Sequence, residues 1–470
     1  MRRSALGMLA LALAGCAVGP DYQRPDVEVG AAYKEAVGWK VAEPRDEASR
    51  GKWWEIFGDP QLNHLIEAID ISNQNVRLAE AQFRQAQALA AQSRAALFPT
   101  LDADASIVRS RSPSGLVGGT TAGRIVTTRS IGLASSWEID LWGRLHRALE
   151  SSEASAQASA ADLEAARLSA QAELASNYFQ LRVLDAQKQL LDDTAAAFQK
   201  SLELTRNRYA AGVAAKVDVV QAETQLKSTQ AQAVDTGVQR AQLEHAIAIL
   251  IGRPPSGFSI APAPLAVAMP RVPPGLPSEL LERRPDVAAA ERRAAAANAQ
   301  IGVAKAAYFP SLTLSASGGY RSGEAASLFT LPSQFWSIGP ALAQSIFDAG
   351  LRRARTEQAV AAYDASVAQY RQTVLAGFQE VEDNLAALRI LEEEAKVQEE
   401  AVSAARETVA LTLNQYKAGT VSYLNVVIVQ TAQLNNERTA VIILGRRLVA
   451  AATLVKALGG GWDASRLAQE

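Results

Sequence analysis

Few groups in this 470-residue chain could do covalent chemistry. It has one cysteine, Cys16, and three histidines, His64, His146 and His245. The histidines are scattered, and none stands at ligand spacing from a second metal-binding residue. They read as helix-face residues. No glycine-rich phosphate cradle and no nucleophile elbow occurs. No catalytic residue, metal site or cofactor is therefore expected, and an enzyme is the least favoured class. Forty-seven Lys and Arg against 49 Asp and Glu leave a net charge of −2, which speaks against a nucleic-acid partner. The thiol of Cys16 remains, and its chemistry depends on the residues before it.

Those residues read "MRRSALGMLALALAGC". Arg2 and Arg3 make a basic end, and residues 5–14 make an apolar run too short to span a bilayer. This is a secretory signal over 1–15. Its end, Leu13-Ala14-Gly15-Cys16, resembles a bacterial lipobox. The resemblance implies cleavage before Cys16 and acylation of its sulfur and new amino group, which would hold the chain on a membrane. Residue 17 is Ala, not the Asp that marks inner-membrane retention in similar lipoproteins, so the outer membrane is expected. No later stretch has the roughly 18 apolar residues of a transmembrane helix.

After the anchor, residues 16–60 read as an extended arm with Pro20, Pro25, Pro44 and Pro60. Trp39, Trp53 and Trp54 are expected to pin it to a helical body. Hydrophobic residues make up 48% of the chain but aromatics only 6%; alanine supplies much of the difference. Alanine favours helices and lets them approach closely. Glycine and proline punctuate the helices. Residues 144–211 contain neither, and residues 351–418 contain only Gly377. Shorter runs, 213–251 and 420–458, hold one glycine each and end at "GRPP" and "GGG". Glycine past a helix end, with proline beyond it, is a stop signal. The chain thus repeats one plan: a very long helix, a tight turn, a returning helix. The turns match as well. "RYAAGVAAKVDVV" (208–220) answers "QYKAGTVSYLNVV" (415–427), with Tyr209 against Tyr416 and Gly212 against Gly419. A 68-residue helix is roughly 100 Å long and needs partners. Apolar residues at seven-residue spacing supply the seams: Leu184, Leu191 and Phe198, and Val427, Leu434, Val441, Leu448 and Val455.

Before each long helix the period changes to two. Leu101, Ala103, Ala105 and Ile107 alternate with Thr100, Asp102, Asp104 and Ser106, and Leu312, Leu314, Ala316 and Tyr320 alternate with hydroxyl residues. Partner strands follow at about 131–141 and 336–346. Each pair reads as a hairpin, about 99–141 and 310–348, with one apolar and one polar face. The expected plan is helix, strand, loop, strand, long helix, turn, helix, twice: 61–252 and 278–459. A linker, 253–277, joins the copies, and a tail, 460–470, ends the chain. The first short helix is expected over about 61–97. The second is expected over about 278–307, with Pro285 inside.

Strands of about ten residues with one greasy face suit a bilayer crossing. Four cannot close a barrel, and an open sheet edge is not tolerated in lipid. If the strands cross a membrane, several chains must pool them: two give eight strands, three give twelve. A soluble sandwich with one wet face is the competing reading, which the signal and the long helices fit poorly.

The chain resembles the TolC-like outer-membrane efflux factors, in their lipoprotein branch (NodT/OprM type). The resemblance rests on "GPDYQRP" (19–25), "WWEIFGDPQL" (53–62), "WEIDLWGRL" (137–145), "GLPSELLERRPDVAAAERR" (275–293), "NAQIGVAKAAYFPSLTL" (298–314) and "KALGGGW" (456–462). It implies a mostly α fold with membrane β-strands. In it, helical hairpins form a periplasmic α-barrel, and a homotrimer closes a twelve-stranded outer-membrane β-barrel. It implies a periplasmic adaptor and an inner-membrane pump, commonly of the proton-driven RND type, as partners. The function implied is passive exit of drugs or other small molecules. The repeated turns would be the tunnel's far tips, serving as gate and adaptor contact, with Tyr209, Gly212, Val213, Gly419 and Thr420 at the turns. Asp218 and Tyr416 fall on gate positions. The gate departs from the pattern at Val421, where relatives often carry Arg, and at Asn425 and Ile428, where some carry acids. A closed gate here is expected to rest on packing and hydrogen bonds. Read as a residue alone, Asp218 is equally a helix-start carboxylate.

The exit duct of a type I protein secretion system is the alternative in the same class. A lipoprotein tether would not need four amphipathic strands, and an adaptor would need a lipoyl-like β-domain that is not visible.

Overall fold

The computed structural model describes residues 18–27, 29–30, 32–35, 51–111, 125–265, 269–270, 272 and 280–462. Cys16, Trp39, the signal segment, the loop 112–124 and the tail beyond Trp462 lie outside the described residues. So does most of the expected linker after residue 265.

The elements in chain order are α1 (Pro60–Ser72), α2 (Gln74–Ala95), β1 (Thr100–Arg111), β2 (Ile125–Ile139), α3 (Arg144–Ala210) and α4 (Lys216–Leu250). A helical turn, Leu280–Arg283, precedes α5 (Pro285–Ala306). Then come β3 (Ser311–Ser322), β4 (Gln334–Ala343), α6 (Leu351–Lys417) and α7 (Tyr423–Ala457). The repeat is metrical. Helices α3 and α6 have 67 residues each, and α4 and α7 have 35 each. The mostly helical fold with four antiparallel strands is the class the sequence points to.

Two short-helix expectations need correction. The segment expected as one helix is two, because Asn73 interrupts it. The Asn73 Oδ1 accepts from the N–H groups of Asn75 and Val76 at 2.9 and 3.0 Å, capping α2. Its Nδ2 donates to the Leu250 carbonyl at 2.7 Å. Pro285 does not sit inside a helix; it is the first residue of α5, where its missing N–H costs nothing. One strand bound shifts too. Strand β2 spans Ile125–Ile139, inside the expected hairpin of about 99–141, while β4 stops at Ala343, which leaves Ile346 outside the sheet.

The described residues form two compact units. Those within Met1–Asp26, Phe83–Ser159 and Ala290–Tyr370 make one. It holds the sheet, in order β1-β2-β3-β4, antiparallel throughout. The pairing register aligns the apolar residues into rows. Ala103, Leu133, Gly318 and Trp336 cross the sheet on one face, as do Leu101, Ser135, Ala316 and Ile338. The opposite face carries Asp102, Ala134, Ser317 and Ser337, with serine hydroxyls paired at 2.9 Å between Ser317 and Ser337 and between Ser106 and Ser130. Near the sheet, Arg147 reaches the Asp21 carboxylate at 2.7 Å, and the Tyr22 hydroxyl donates to Glu291 Oε1 at 2.6 Å. These bonds hold the N-terminal arm. Ala154, Ala295 and Ala296 pack flush around Tyr22.

The second unit comprises the described residues within Val27–Gln82, Ala160–Ala289 and Arg371–Glu470. Trp53, Trp54 and Phe57 are buried in it, with Trp53 edge-on to both neighbours and Phe57 against Phe179 at 4.8 Å. The Trp53 indole donates to Gln171 at 3.1 Å. This is the pinning expected of the tryptophans, for the two that are described. Buried Arg182 and Asp185 pair at 2.8 Å. Together with Arg240 they bind the backbone of Ile260, Ala261 and Ala263. That network satisfies the charges it buries. On α3 Leu184, Leu191 and Phe198 are buried; on α7 Leu434, Leu448 and Val455 are buried and Val427 and Val441 half-buried, so the heptad stripes are packing seams. Gly445 marks a close helix approach: a Cβ there would lie 2.2 Å from Val183 Cγ2.

Candidate functional site

The two helical turns are built alike, because the backbone must reverse within five residues, 211–215 and 418–422. At the end of α3 the Gly212 N–H donates to the Tyr209 carbonyl at 2.9 Å, and the Val213 N–H to Arg208 at 2.8 Å. At the end of α6 Gly419 donates to Tyr416 and Thr420 to Gln415, both at 3.0 Å. Each is a Schellman cap, which needs a left-handed residue at its centre. Gly212 and Gly419 supply it, with φ of 71° and 79°. The Thr420 side chain adds a bond to the Gln415 carbonyl at 3.0 Å.

Past the turns, the two tips differ. Tyr416 is 3% exposed, while its repeat mate Tyr209 is 47% exposed. Tyr416 stands edge-on to Tyr423 at 5.4 Å, under the Arg208 guanidinium at 4.8 Å, and its hydroxyl meets Thr205 Oγ1 at 3.3 Å. The Arg208 Nη1 also donates to the Lys417 carbonyl at 3.1 Å. Around this pair, Phe198, Leu202, Ala222, Leu226 and Val426 form an apolar cluster that Val421 and Val219 join. So Val421, where the resemblance leads one to expect arginine, is here part of a greasy contact. Asp218 is half-buried at the start of α4, and its Oδ2 accepts from the Ala215 N–H at 3.3 Å. Within one chain it caps its own helix, and the partner of Tyr416 is Thr205. Asn425 is exposed; its backbone N–H donates to the Ser422 carbonyl at 3.2 Å. Val213 is 65% exposed.

Sequence reasoning missed Thr205, Arg208 and Tyr423. Tyr423 had a signal: it follows Tyr416 by seven residues across a five-residue turn, which returns it to the same side. Its hydroxyl is buried and finds no hydrogen-bond partner. Burial first, then the Tyr416 and Asp218 charges, push its pKa up to about 12.

The second functional surface is the sheet. Its apolar face is bare in the single chain: Leu101, Leu133, Trp336, Ile338 and Leu342 are all exposed. Among the described residues both β1 and β4 have one unpaired edge. Among the described residues no helix is long and apolar enough to cross a membrane, and no group of three or more His, Cys, Asp or Glu could hold a metal ion.

Known proteins share this plan. The outer membrane efflux protein family matches residues 65–253 and 276–460. The solvent efflux pump outer membrane protein SrpC of Pseudomonas putida is 33% identical over 99% of this chain and 100% of its own. The outer membrane protein OprJ of Pseudomonas aeruginosa is 31% identical over 99% and 98%. Among solved structures, the outer-membrane channel OprN aligns at a TM-score of 0.87 with 32% identity, covering 95% of this chain and 100% of that one. The open state of the Neisseria gonorrhoeae MtrE outer membrane channel aligns at 0.84 with 30% identity, covering 95% and 98%. The chain belongs to the outer membrane efflux protein family and is an outer-membrane channel through which an efflux pump discharges.

Proposed function

We propose that three copies of this chain pool their sheets into a twelve-stranded barrel. In this reading the long hairpins line a periplasmic tunnel, and acyl chains on Cys16 add an anchor in the outer membrane. The observation that carries it is the four-stranded sheet with one bare apolar face and two unpaired edges. Lipid forbids open edges, so the strands must find partners on other chains. Twelve strands enclose more than a side-chain-filled core, and the small hydroxyl-rich face supports a wet lumen. The tips meet a periplasmic adaptor and, through it, an inner-membrane pump of the RND type. Cargo is the class named for the relatives: solvents, toluene, antibiotics and similar small molecules. Transport through the duct is passive in this reading, and the pump supplies the energy.

The gate is the tip. Tyr416 and Val421 hold the second hairpin to the first by packing. Asp218 stiffens the first hairpin's return, and Asn425 faces away from the core. Thr420 closes the second turn. Tyr209, Gly212, Val213 and Gly419 shape the surface offered to the adaptor. Planar-bilayer recording tests this reading. The wild-type protein is expected to give small, mostly closed currents. Tyr416→Ala and Asp218→Ala are expected to raise single-channel conductance. Currents absent from every preparation, with unchanged drug sensitivity in a deletion strain, would reject the duct. For the anchor, Cys16→Ala is expected to abolish palmitate incorporation while leaving the assembled species intact.

A further inference from the structure

Tyr416, Tyr423, Val426 and Val427 of the second hairpin seat on the first, around Thr205 and Arg208. The internal repeat places the same surface elsewhere. A shift of 207 positions carries those four onto Tyr209, Lys216, Val219 and Val220 of the first hairpin. Of these, Tyr209, Lys216 and Val220 are exposed. The same shift carries Thr205 and Arg208 onto Thr412, half-buried, and Gln415, exposed, on the second hairpin. One chain therefore displays both halves of a joint it has already built once. Two unlike, complementary patches on one molecule make a head-to-tail interface, which closes into a ring when the rotation permits.

We propose that Tyr209 of each chain seats against Thr412 and Gln415 of the next copy, repeating between chains the joint Tyr416 makes on Thr205 and Arg208 within one. The inference rests on the trimer proposed above and names its tip contact.

The joint between chains is the softer of the two. Gln415 lacks the guanidinium that covers the Tyr416 ring. Inside the chain Gln225 bonds Thr431 at 3.1 Å and Arg438 bonds Gln232 at 3.0 Å. The shifted positions hold Ala432 with Thr224, and Ala231 with Thr439, which cannot repeat those bonds.

The test uses the full-length, detergent-extracted protein. Tyr209→Cys and Thr412→Cys are combined and treated with a short bis-maleimide, since a tyrosine and the threonine it touches sit too far apart at Cβ for a disulfide. Bands of two and three chains are expected, absent from either single variant, which also controls for Cys16. The pair Tyr416→Cys and Thr205→Cys should stay at single-chain size, because that joint lies within one chain. Should the first pair disturb assembly, Tyr209→Cys with Gln415→Cys repeats the test with Thr412 intact. A trimer by native mass whose double variants remain at single-chain size overturns the seating and leaves the trimer standing. A single chain by native mass overturns both.

Discussion

At the residue scale, Tyr423 is the sharpest test of how the tip is held. Its hydroxyl is buried without a partner. An unsatisfied buried group costs about 1–3 kcal/mol, and removing it returns part of that. Tyr423→Phe is therefore expected to stabilise the protein by about 1 kcal/mol in thermal unfolding, a gain few substitutions give. The pH dependence has a definite sign. The phenol titrates near 10 when unfolded and near 12 in the fold. The folded state holds its proton longer, so the contribution is whole below pH 10 and is lost as pH rises from 10 to 12. Tyr423→Phe should flatten the stability curve over that window. An unchanged curve would mean the hydroxyl is solvated. Tyr416→Phe should act oppositely in neutral solution, because it breaks the bond to Thr205.

At the scale of elements, the turns and the helix crossings carry the constraints. Gly212 and Gly419 hold left-handed backbone, which costs other residues roughly 1–2 kcal/mol. Gly212→Ala and Gly419→Ala should each lower stability by about 1 kcal/mol. Gly445→Ala should cost more, about 1–3 kcal/mol, since its methyl collides with Val183. Val183→Ala in the same chain should recover part of the loss, and a double-mutant cycle measures how much. These elements differ in how plainly the sequence announced them. The long helices were legible because residues 144–211 hold neither glycine nor proline and residues 351–418 hold only Gly377. The strands were legible from strict alternation. Asn73 was not: one residue ends one helix and caps the next, and no break in the apolar period marks it. Pro285 was misplaced because a proline at a first helical position looks, in a run of helix formers, like an interior one. The tip partners were hidden for another reason. Thr205 and Tyr416 lie 211 positions apart, and only folding shows which hairpin face meets which.

For the whole molecule, the sheet decides what the protein is. Rows of apolar residues on one face and serines on the other separate lipid from water only if the edges are closed. The faces make unlike predictions. Leu133→Arg places a charge on the lipid side and should cost about 2–4 kcal/mol, reducing insertion. Ser317→Arg, on the other face, should leave insertion intact and shift the channel toward anions in reversal-potential measurements. Equal effects from both would remove the distinction between the faces.

The most direct test is the mass of the native species. Native mass spectrometry of the protein released from detergent should give three chains, with no stable single chain. A monodisperse single chain would leave two strand edges exposed to lipid and would contradict the account at its root.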